Sequence, residues 1–348
     1  PGLTAGQYTS AVGGSGLATP FGDTGSVGIG GLTLGGGIGY LVRKHGLTLD
    51  SLLGADLITA DGSLIRVTTD TDAELFWALR GGGGTFGVAT RFHLRLHPVD
   101  MIVGGMLILP ATADLISGLI AEADAAPDEL STIANVMLAP PEMPGLSDEY
   151  IGRPIVMLLL AHAGDIEQGE KSVAPFRALA TPLVDMVGPM SYPEIFQFTE
   201  GGPPIQEEAA WSFFLDDFDI DRAGSIIDHL YETSAPIAVA QLRVLGGAFG
   251  RVPVDATAFA HRERRLIAAV GTVFDDPAES EIHRDWVKRL SASLHRGEDG
   301  VYVGFMGDEG EQRVREAYPP ATWKRMAAVK AKYDPTNLFR LNQNVPPG

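Results

Sequence analysis

Apolar and polar residues follow two different patterns along this chain. Over residues 101–312, long apolar runs typical of strands alternate with stretches whose apolar residues recur at helical spacing. The predicted strands are residues 102–109, 154–161, 210–216, 237–245 and 266–274. The predicted helices are residues 112–125, 167–181, 221–234 and 277–294, and the predicted loops are 139–144 and 201–204. This alternation predicts one sheet with helices on one side.

The first hundred residues instead place short apolar runs between glycines. Residues 55–62 and 64–67 predict two strands joined by an Asp-Gly turn. Thr71 and Glu74 have the spacing of a capping box and predict the start of a helix, which Gly81 ends.

A further strand and a helix near the end of the chain complete the prediction. Residues 88–96 alternate as a strand whose apolar residues face one way, namely Phe92, Leu94 and Leu96. Near the end of the chain four apolar residues recur at helical spacing: Trp323, Met326, Val329 and Tyr333. Asp334-Pro335 should end that helix, because a residue before proline avoids the α region.

Residues 22–40 are unusually rich in glycine, with nine glycines among nineteen residues. Glycine adds no apolar surface and loses the most chain entropy on folding, so this density is poor core material. The segment is too apolar for a flexible linker. Glycine lets the backbone approach a ligand closely and point its N–H groups at a phosphate-bearing cofactor or a flavin edge.

Composition and charge exclude several kinds of function. The formal net charge is −18 and no lysine or arginine cluster stands out, so neither nucleic acid nor a membrane surface is an expected partner. The chain has no cysteine, which excludes disulfides, thiolate catalysis and cysteine-bound metals. No apolar run approaches the roughly 20 residues of a membrane span. No secretory signal is visible, so we expect a cytoplasmic location.

Familiar catalytic motifs are absent or stand in the wrong context. Gly82-Gly-Gly-Thr-Phe-Gly87 satisfies the dinucleotide pattern, but it follows a predicted helix and precedes a strand, the reverse of a Rossmann site. Neither a P-loop nor a G-x-S-x-G elbow occurs. His93 and His97 are about 13 Å apart on a strand, too far to share one ion, so no metal site is predicted.

Several blocks of sequence occur in the order typical of one family. They are Gly30-Gly-Leu-Thr-Leu-Gly-Gly-Gly-Ile-Gly-Tyr40, Arg43-Lys-His-Gly-Leu47, Asp50-Ser-Leu-Leu53, Ile58-Thr-Ala-Asp-Gly62, Leu75-Phe-Trp-Ala-Leu-Arg-Gly-Gly-Gly-Gly84, Phe86-Gly-Val88 and Tyr333-Asp-Pro-Thr-Asn-Leu-Phe-Arg-Leu-Asn-Gln-Asn344. Together they resemble the FAD-linked oxidases of the berberine bridge enzyme type, within the vanillyl-alcohol oxidase superfamily of PCMH-type FAD-binding proteins. Ala258-Phe-Ala-His-Arg262 is a weaker match in the middle of the chain.

The resemblance implies an α+β enzyme with two domains. Residues 1–100 would form part of the FAD-binding domain, and residues 313–348 would return to it. Residues 101–312 would form a substrate domain with an antiparallel sheet flanked by helices. The implied function is oxidation of an alcohol or amine carbon of a small molecule by hydride transfer to flavin N5. Molecular oxygen would be the acceptor and hydrogen peroxide the product.

The chain departs from the family pattern in two places. No residues match the upstream Arg-Gly-Gly-Gly-His-type loop that holds the pyrophosphate and carries a flavin-linked histidine, so we expect a fragment or a natural truncation. A non-catalytic remnant or interaction module is the alternative that this leaves open. Thr24 stands where some members have a second flavin-linking cysteine, and a threonine cannot form that thioether.

The resemblance also carries over individual site residues. Backbone that should line the flavin and its ribityl chain belongs to Gly22, Thr24, Gly25, Gly28, Gly30 and Gly31. The main chain of Ile58 should contact the adenine side, and Asn342 and Asn344 resemble polar contacts near the ring. Val27 matches a small gatekeeper residue that favours reaction with oxygen.

Two tyrosines are the candidate catalytic residues. Tyr318 matches a tyrosine that some members use as a base, and Tyr302 lies beside Gly304, where the backbone can be approached closely. A phenol with a pKa near about 10 needs a lowered pKa to accept a proton at neutral pH. A flavin edge or a second phenol could lower it.

Overall fold

The computed structural model describes residues 1–141, 143–200 and 207–348. The strands in these residues are β1 (Leu17–Ala18), β2 (Leu52–Ile58), β3 (Leu64–Val67), β4 (Val88–Leu94), β5 (His97–Pro98), β6 (Met101–Pro110), β7 (Leu130–Leu138), β8 (Pro154–His162), β9 (Val184–Asp185), β10 (Gly188–Ser191), β11 (Glu207–Leu215), β12 (Ile237–Val244) and β13 (Leu266–Phe274). The predicted loop at 201–204, and residue 142 of the other predicted loop, lie outside the described residues.

The helices alternate with these strands. They are α1 (Ala5–Gly13), α2 (Ile29–Gly35), α3 (Val42–His45), α4 (Ala73–Leu79), α5 (Ala113–Ala125), α6 (Ile166–Ala178), α7 (Ile220–Leu230), α8 (Ala248–Arg251), α9 (Ser280–Leu294), α10 (Glu311–Ala317) and α11 (Pro320–Tyr333). None of the described helices is long and apolar enough to span a membrane.

The chain forms two compact units. Unit 1 comprises Pro1–Asp100, Gly247–Glu263 and Gly300–Gly348, and unit 2 comprises Met101–Gly246 and Arg264–Asp299. Residues 247–263 and 300–312, which the predicted domain boundaries assign to the substrate domain, therefore group with unit 1. The functional assignment of the two units stays a prediction.

Unit 2 is built on one antiparallel sheet. The strand order is β10-β6-β8-β7-β12-β13-β11, and β9 also pairs with β6. Helices α5, α6, α7 and α9 bury their apolar side chains against alternate residues of the strands, in a core that includes Phe176, Phe213 and Trp286. The predicted sheet with helices on one side is confirmed.

The central strand β7 is a finding that the sequence did not predict. Its apolar run is interrupted by Ser131, Thr132 and Asn135, and this interruption conceals a strand that pairs with β8 on one side and β12 on the other. The five predicted strands of this region are present, with ends shifted by up to three residues.

Short polar side chains cap α5, α6 and α7 of unit 2. Thr112, Asp165 and Asp219 each accept a hydrogen bond from the backbone N–H three residues on, at 3.2, 3.0 and 2.9 Å. These bonds satisfy backbone donors that have no partner inside the helix. Each start lies within two residues of its predicted position.

Unit 1 contains a small sheet in the order β3-β2-β4 and a two-stranded pair of β1 with β5. Helices α4 and α11 share its main apolar core with strands β2 and β3, through residues such as Leu57, Leu75 and Met326. The predicted hairpin of β2 and β3 is confirmed. The tail helix is also confirmed, since α11 ends at Tyr333 and Asp334 is its C-cap.

Two local predictions in unit 1 were wrong by one or two residues. Asp72, not Thr71, caps α4, because its carboxylate accepts the N–H of Leu75 at 2.9 Å. Strand β4 ends at Leu94, so Leu96 does not continue the row of Phe92 and Leu94 and is 39% exposed.

Candidate functional site

The glycine-rich segment of unit 1 consists of two physically different parts. From Gly35 to Gly39 it is buried against its own chain. A Cβ added at Gly37, where φ is +86°, would lie 2.0 Å from the hydroxyl of Thr48, and one at Gly39 would lie 2.1 Å from the carbonyl of Phe21. Packing of the chain on itself therefore explains the glycines of this part.

The first part has open backbone. A Cβ added at Gly28 or Gly31 would meet no atom within 4 Å, and both residues are exposed. Gly28 precedes α2 and places no side chain over the amides of its first turn. These are the positions at which another molecule can approach the main chain most closely.

The other predicted glycines of this part have neighbours from the same unit. A Cβ at Gly30 would lie 3.4 Å from the carbonyl of Pro1, and one at Gly22 would lie 3.0 Å from the side chain of Leu32. The carbonyl of Gly25 accepts the N–H of Gly6 at 2.8 Å. Gly22, Gly25 and Gly30 thus also serve the packing of the segment.

Solvent exposure and backbone pairing differ among three further predicted site residues, Thr24, Val27 and Ile58. Val27 is 42% exposed, and its N–H donates to the carbonyl of Thr24 at 3.3 Å. Ile58 is 37% exposed, but its residue pairs with Leu64 on one side and Val88 on the other. The side chain of Ile58 is therefore more accessible than the main chain for which the resemblance predicts a contact.

A cavity of about 700 Å³ in unit 1 includes both predicted asparagines. Its lining comes from residues 306–311, 314, 340–344 and 346. Asn342 is exposed and has a left-handed backbone with φ +62°. The side-chain oxygen of Asn344 is buried and has no hydrogen-bond partner. Leaving a buried acceptor unpaired costs free energy, so a bound molecule that donates a hydrogen bond to this oxygen would be stabilised.

Tyr302 holds the buried part of the glycine-rich segment. Its hydroxyl accepts the N–H of Gly37 at 2.8 Å, and the residue is 3% exposed. A Cβ at Gly36 would lie 2.7 Å from its ring, and one at Gly304 would lie 2.5 Å from it. Packing of the Tyr302 ring thus requires glycine at position 304 as well as at position 36.

Tyr318 is anchored nearby in the same unit. Its hydroxyl donates to the carbonyl of Gly81 at 2.9 Å, and the N–H of Gly81 donates to the carbonyl of Leu34 at 2.8 Å. Burial raises the pKa of Tyr318, and the phenol of Tyr302 raises that pKa further. The expectation that a second phenol could lower the pKa was therefore wrong. The catalytic assignment of both tyrosines stays a prediction.

The weaker matching block in the middle of the chain also lies in unit 1. The guanidinium of Arg262 makes two bonds to the carboxylate of Asp50, at 2.8 and 2.7 Å, and one to Thr257 at 3.2 Å. His261 contacts the carbonyl of Ala317 through Nε2 at 3.0 Å. These contacts join residues 257–262 to both ends of unit 1 and indicate a structural role.

The histidines of unit 1 do not form a metal centre. Among the described residues, no group of three or more histidine, aspartate or glutamate side chains could hold an ion. His97 stacks on His45 with ring centroids 4.1 Å apart, and its Nε2 lies 2.9 Å from the hydroxyl of Ser51. His93 instead lies 3.6 Å from the carboxylate of Asp56.

Three polar residues that sequence reasoning did not single out lie together on the sheet of unit 2. Gln241 donates to Asn135 at 2.8 Å and accepts from Arg243 at 2.6 and 2.9 Å. The available signal was the presence of Gln241 and Arg243 at alternate positions of an otherwise apolar strand.

Comparison with known proteins links both ends of unit 1 to flavin enzymes. Residues 1–68 match a family model described as an FAD binding domain, and residues 301–346 match one described as berberine and berberine like. The (R)-6-hydroxynicotine oxidase of Paenarthrobacter nicotinovorans is 30% identical over 99% of this chain and 76% of its own length.

Solved structures share the fold over nearly the whole chain. The crystal structure of 6-hydroxy-D-nicotine oxidase from Arthrobacter nicotinovorans matches with a TM-score of 0.84 and 26% identity, covering 99% of this chain and 77% of that one. A chitooligosaccharide oxidase matches with a TM-score of 0.83 and 20% identity, over 99% of this chain and 77% of that one. At that identity, the second likeness concerns the fold alone.

Proposed function

Because the chain belongs to the FAD-linked oxidases of the berberine bridge enzyme type, we propose that it oxidises an alcohol or amine carbon of a small molecule. The substrate carbon would lose a hydride and its hydroxyl or amine a proton, and FAD, held by the backbone at Gly28 and Gly31 and by Asn344, would supply the hydride acceptor. Oxygen then takes up two electrons and two protons and leaves as hydrogen peroxide. FAD supplies this redox chemistry, and the protein binds, orients and shields the reactants.

The open backbone at Gly28 and Gly31 is the observation that carries the proposal. An added Cβ at either position meets only open space, so packing within the chain does not require glycine there. A glycine costs conformational entropy, and close approach of a ligand to the backbone offsets that cost. The residues therefore fit a flavin or ribityl chain lying against this part of the segment.

Asn344 fits the same cofactor through its side-chain oxygen. That oxygen is buried and lacks a donor within the described residues. The isoalloxazine ring presents one N–H group, which is a donor of the kind that this acceptor requires. We propose that Asn344 receives a hydrogen bond from the ring, and that Asn342 lines the same cavity.

We infer that Tyr318 does not take the proton of the substrate in the observed arrangement. The phenol is protonated at neutral pH, because its pKa is raised, and it donates its proton to Gly81. To act as a base, Tyr318 would have to break this bond and ionise inside a buried site. We therefore propose that Tyr318 and Tyr302 act as hydrogen-bonding groups that position the backbone of residues 34–37.

Val27, in the first part of the glycine-rich segment, has an exposed apolar side chain. We propose that it leaves room for oxygen, as the resemblance implies, and that a bulkier side chain would slow reoxidation. Replacement by leucine tests this role separately from cofactor binding.

The test is to load the purified protein with FAD and mix it anaerobically with alcohols and amines. Bleaching of the flavin absorbance by one of them, followed by recovery and peroxide release on admitting oxygen, supports the proposal. A folded protein that stays colourless after FAD is added contradicts it and favours the non-catalytic alternative. Bound FAD that is bleached by a substrate but does not recover when oxygen is admitted contradicts only the choice of oxygen.

A further inference from the structure

The two ends of the glycine-rich segment lie against one another in unit 1. A Cβ added at Gly39 would lie 2.1 Å from the carbonyl oxygen of Phe21, so the backbones of these two residues are in close contact. Gly28 and Gly31, whose backbone is open, lie between these ends along the chain. Residues 20–39 therefore form a closed loop, which we call the glycine loop.

Thr48 is hydrogen-bonded to both ends of the glycine loop. Its hydroxyl donates to the carbonyl of Pro20, and its N–H donates to the carbonyl of Gly37 at 3.2 Å. The N–H of Leu49 donates to the carbonyl of Gly36 at 3.0 Å. A single turn outside the glycine loop thus holds the start and the end of the loop together.

The hydrogen bond explains why a hydroxyl stands at position 48. Thr48 is fully buried, and burying a hydroxyl costs free energy unless a hydrogen bond compensates. A valine has the same shape and would fill the space without that cost. A Cβ at Gly37 would lie 2.0 Å from this hydroxyl, so the loop has no side chain where the hydroxyl approaches it. Both features indicate that the hydroxyl serves closure of the loop.

Asp50 and Arg262 fix the turn that carries Thr48. The carboxylate of Asp50 accepts the N–H of Leu47 at 2.8 Å and two bonds from the guanidinium of Arg262 at 2.8 and 2.7 Å. Paired bonds between opposite charges are among the strongest that side chains form. The Arg262 side chain is fully buried, and its guanidinium lies over the rings of two phenylalanines. The turn is therefore held by a residue 212 positions further along the chain.

Closure of the loop determines how much order a ligand has to impose on it. Glycine leaves the chain more conformational freedom than any other residue does. Fixing the two ends of a loop removes part of this freedom in advance, and a preorganised site binds more tightly because less entropy is lost on binding. A defined backbone at Gly28 and Gly31 thus depends on ends that are held together.

We propose that Thr48 is a positioning residue for FAD binding, which closes the glycine loop and so holds the backbone of Gly28 and Gly31 in the conformation that meets the cofactor. Arg262 acts through Thr48, because its bonds to Asp50 hold the turn in place. This inference rests on the proposed function, and it deepens that function by naming residues that act on cofactor binding through the backbone.

The decisive variant is Thr48→Val, which removes the hydroxyl and keeps the shape of the side chain. An apparent Kd equals the intrinsic Kd divided by the fraction of molecules in the binding-competent conformation. If the lost bond leaves the loop closed in about one molecule in ten, the Kd for FAD rises about tenfold. Thr48→Ser keeps the hydroxyl, so its Kd should stay within about twofold of the wild type. Titration of FAD, followed by its fluorescence, measures each Kd.

Two control variants separate closure of the loop from a general loss of stability. Thr9→Val makes the same change at a fully buried residue of unit 1, whose hydroxyl has no hydrogen-bond partner among the described residues. Val67→Ala shortens a buried side chain in the main apolar core of unit 1 and lowers the free energy of unfolding. Both variants should bind FAD with the Kd of the wild type.

Hydrogen exchange measures closure of the loop without the cofactor. Helix α2 is part of the glycine loop, so its backbone amides become accessible when the loop opens. In the FAD-free chain, these amides should exchange faster in Thr48→Val than in the wild type, Thr48→Ser or Thr9→Val.

Arg262→Lys tests the second step. A lysine keeps the charge but cannot form both parallel bonds to Asp50, so the Kd for FAD should rise. Because Arg262 acts through Thr48, the two substitutions should not add: Thr48→Val combined with Arg262→Lys should bind FAD about as weakly as Thr48→Val alone. Circular dichroism verifies that each variant is folded.

The outcomes distinguish this inference from the function on which it rests. Faster exchange of α2 and a weaker Kd in Thr48→Val, both absent from Thr48→Ser and Thr9→Val, support it. A Thr48→Val protein with the exchange or the Kd of the wild type, or a Val67→Ala protein with an equally weakened Kd, overturns it while FAD binding by the wild type still supports the proposed function. Additive effects of the two substitutions overturn the role of Arg262. A folded wild type that binds no FAD overturns the proposed function and this inference together.

Discussion

Replacing Gly31 with alanine should strengthen the fold and weaken FAD binding at the same time. Gly31 lies in the first turn of α2, and an added Cβ would meet nothing within 4 Å. Alanine in place of glycine stabilises a helix by about 0.5–1 kcal/mol, so the free energy of unfolding should rise by up to that amount. The same methyl group would stand in the open space that we assign to the flavin.

The cost to binding follows from displacing a ligand that touches the backbone. If the added methyl group displaces the flavin far enough to break one hydrogen bond, or to lose contacts of equal free energy, binding weakens by about 1.4 kcal/mol, which is tenfold in Kd. Titration of FAD, followed by quenching of its fluorescence, gives Kd, and urea denaturation gives the free energy of unfolding. We expect Gly31→Ala to increase the free energy of unfolding and to weaken FAD binding.

Gly224 provides the matched control. It lies inside α7 of unit 2, and a Cβ there also meets nothing within 4 Å. Gly224→Ala should stabilise the protein by a similar amount and leave the Kd for FAD unchanged. An unchanged Kd in Gly31→Ala as well would refute the reasoning, because open space beside the backbone would then have no connection with the cofactor.

Three other perturbations test separate parts of unit 1. Lys330 and Asp334 form a fully buried ion pair at 2.6 Å, so Lys330→Met should cost about 3–5 kcal/mol in urea denaturation, and a loss below about 1 kcal/mol would show that the pair is dispensable. Tyr318→Phe should cost about 1–2 kcal/mol of stability through the lost hydrogen bond and leave the shape of the rate–pH profile near neutrality unchanged; loss of the limb on which the rate rises with pH would instead identify Tyr318 as the base. Burial, the His97 ring and Lys44 lower the pKa of His45 from 6.5 to about 4. Between these pH values the unfolded chain binds a proton that the folded chain does not, so the free energy of unfolding should fall as the pH drops from 6.5 towards 4. His45→Phe should make the free energy of unfolding depend less on pH in this range, and an unaltered slope would contradict the reasoning.

Local rules were sufficient to predict much of the fold from the sequence. The Asp-Gly turn between β2 and β3 acts over a few residues, and the structure confirms the hairpin that it predicts. Strand β7 escaped prediction because Asn135 and its polar neighbours interrupt the apolar run that identifies a strand. Asn135 is explained by a partner 106 positions away, the amide of Gln241.

The site was harder to predict, because glycine has two uses that look the same in a sequence. Gly28 has open space beside it, whereas Gly37 is held against Thr48 and Tyr302. Only the fold separates a glycine that serves a ligand from one that serves packing. The environment of Tyr318 was similarly invisible, since its raised pKa depends on burial and on Tyr302.

Equilibrium titration of the purified chain with FAD tests the central claim most directly. We predict saturable quenching of flavin fluorescence with about one FAD per chain, and a weaker Kd in Asn344→Leu, because the buried oxygen of Asn344 then no longer accepts a bond from the ring. A folded chain, verified by circular dichroism, that shows no saturable quenching would contradict the account.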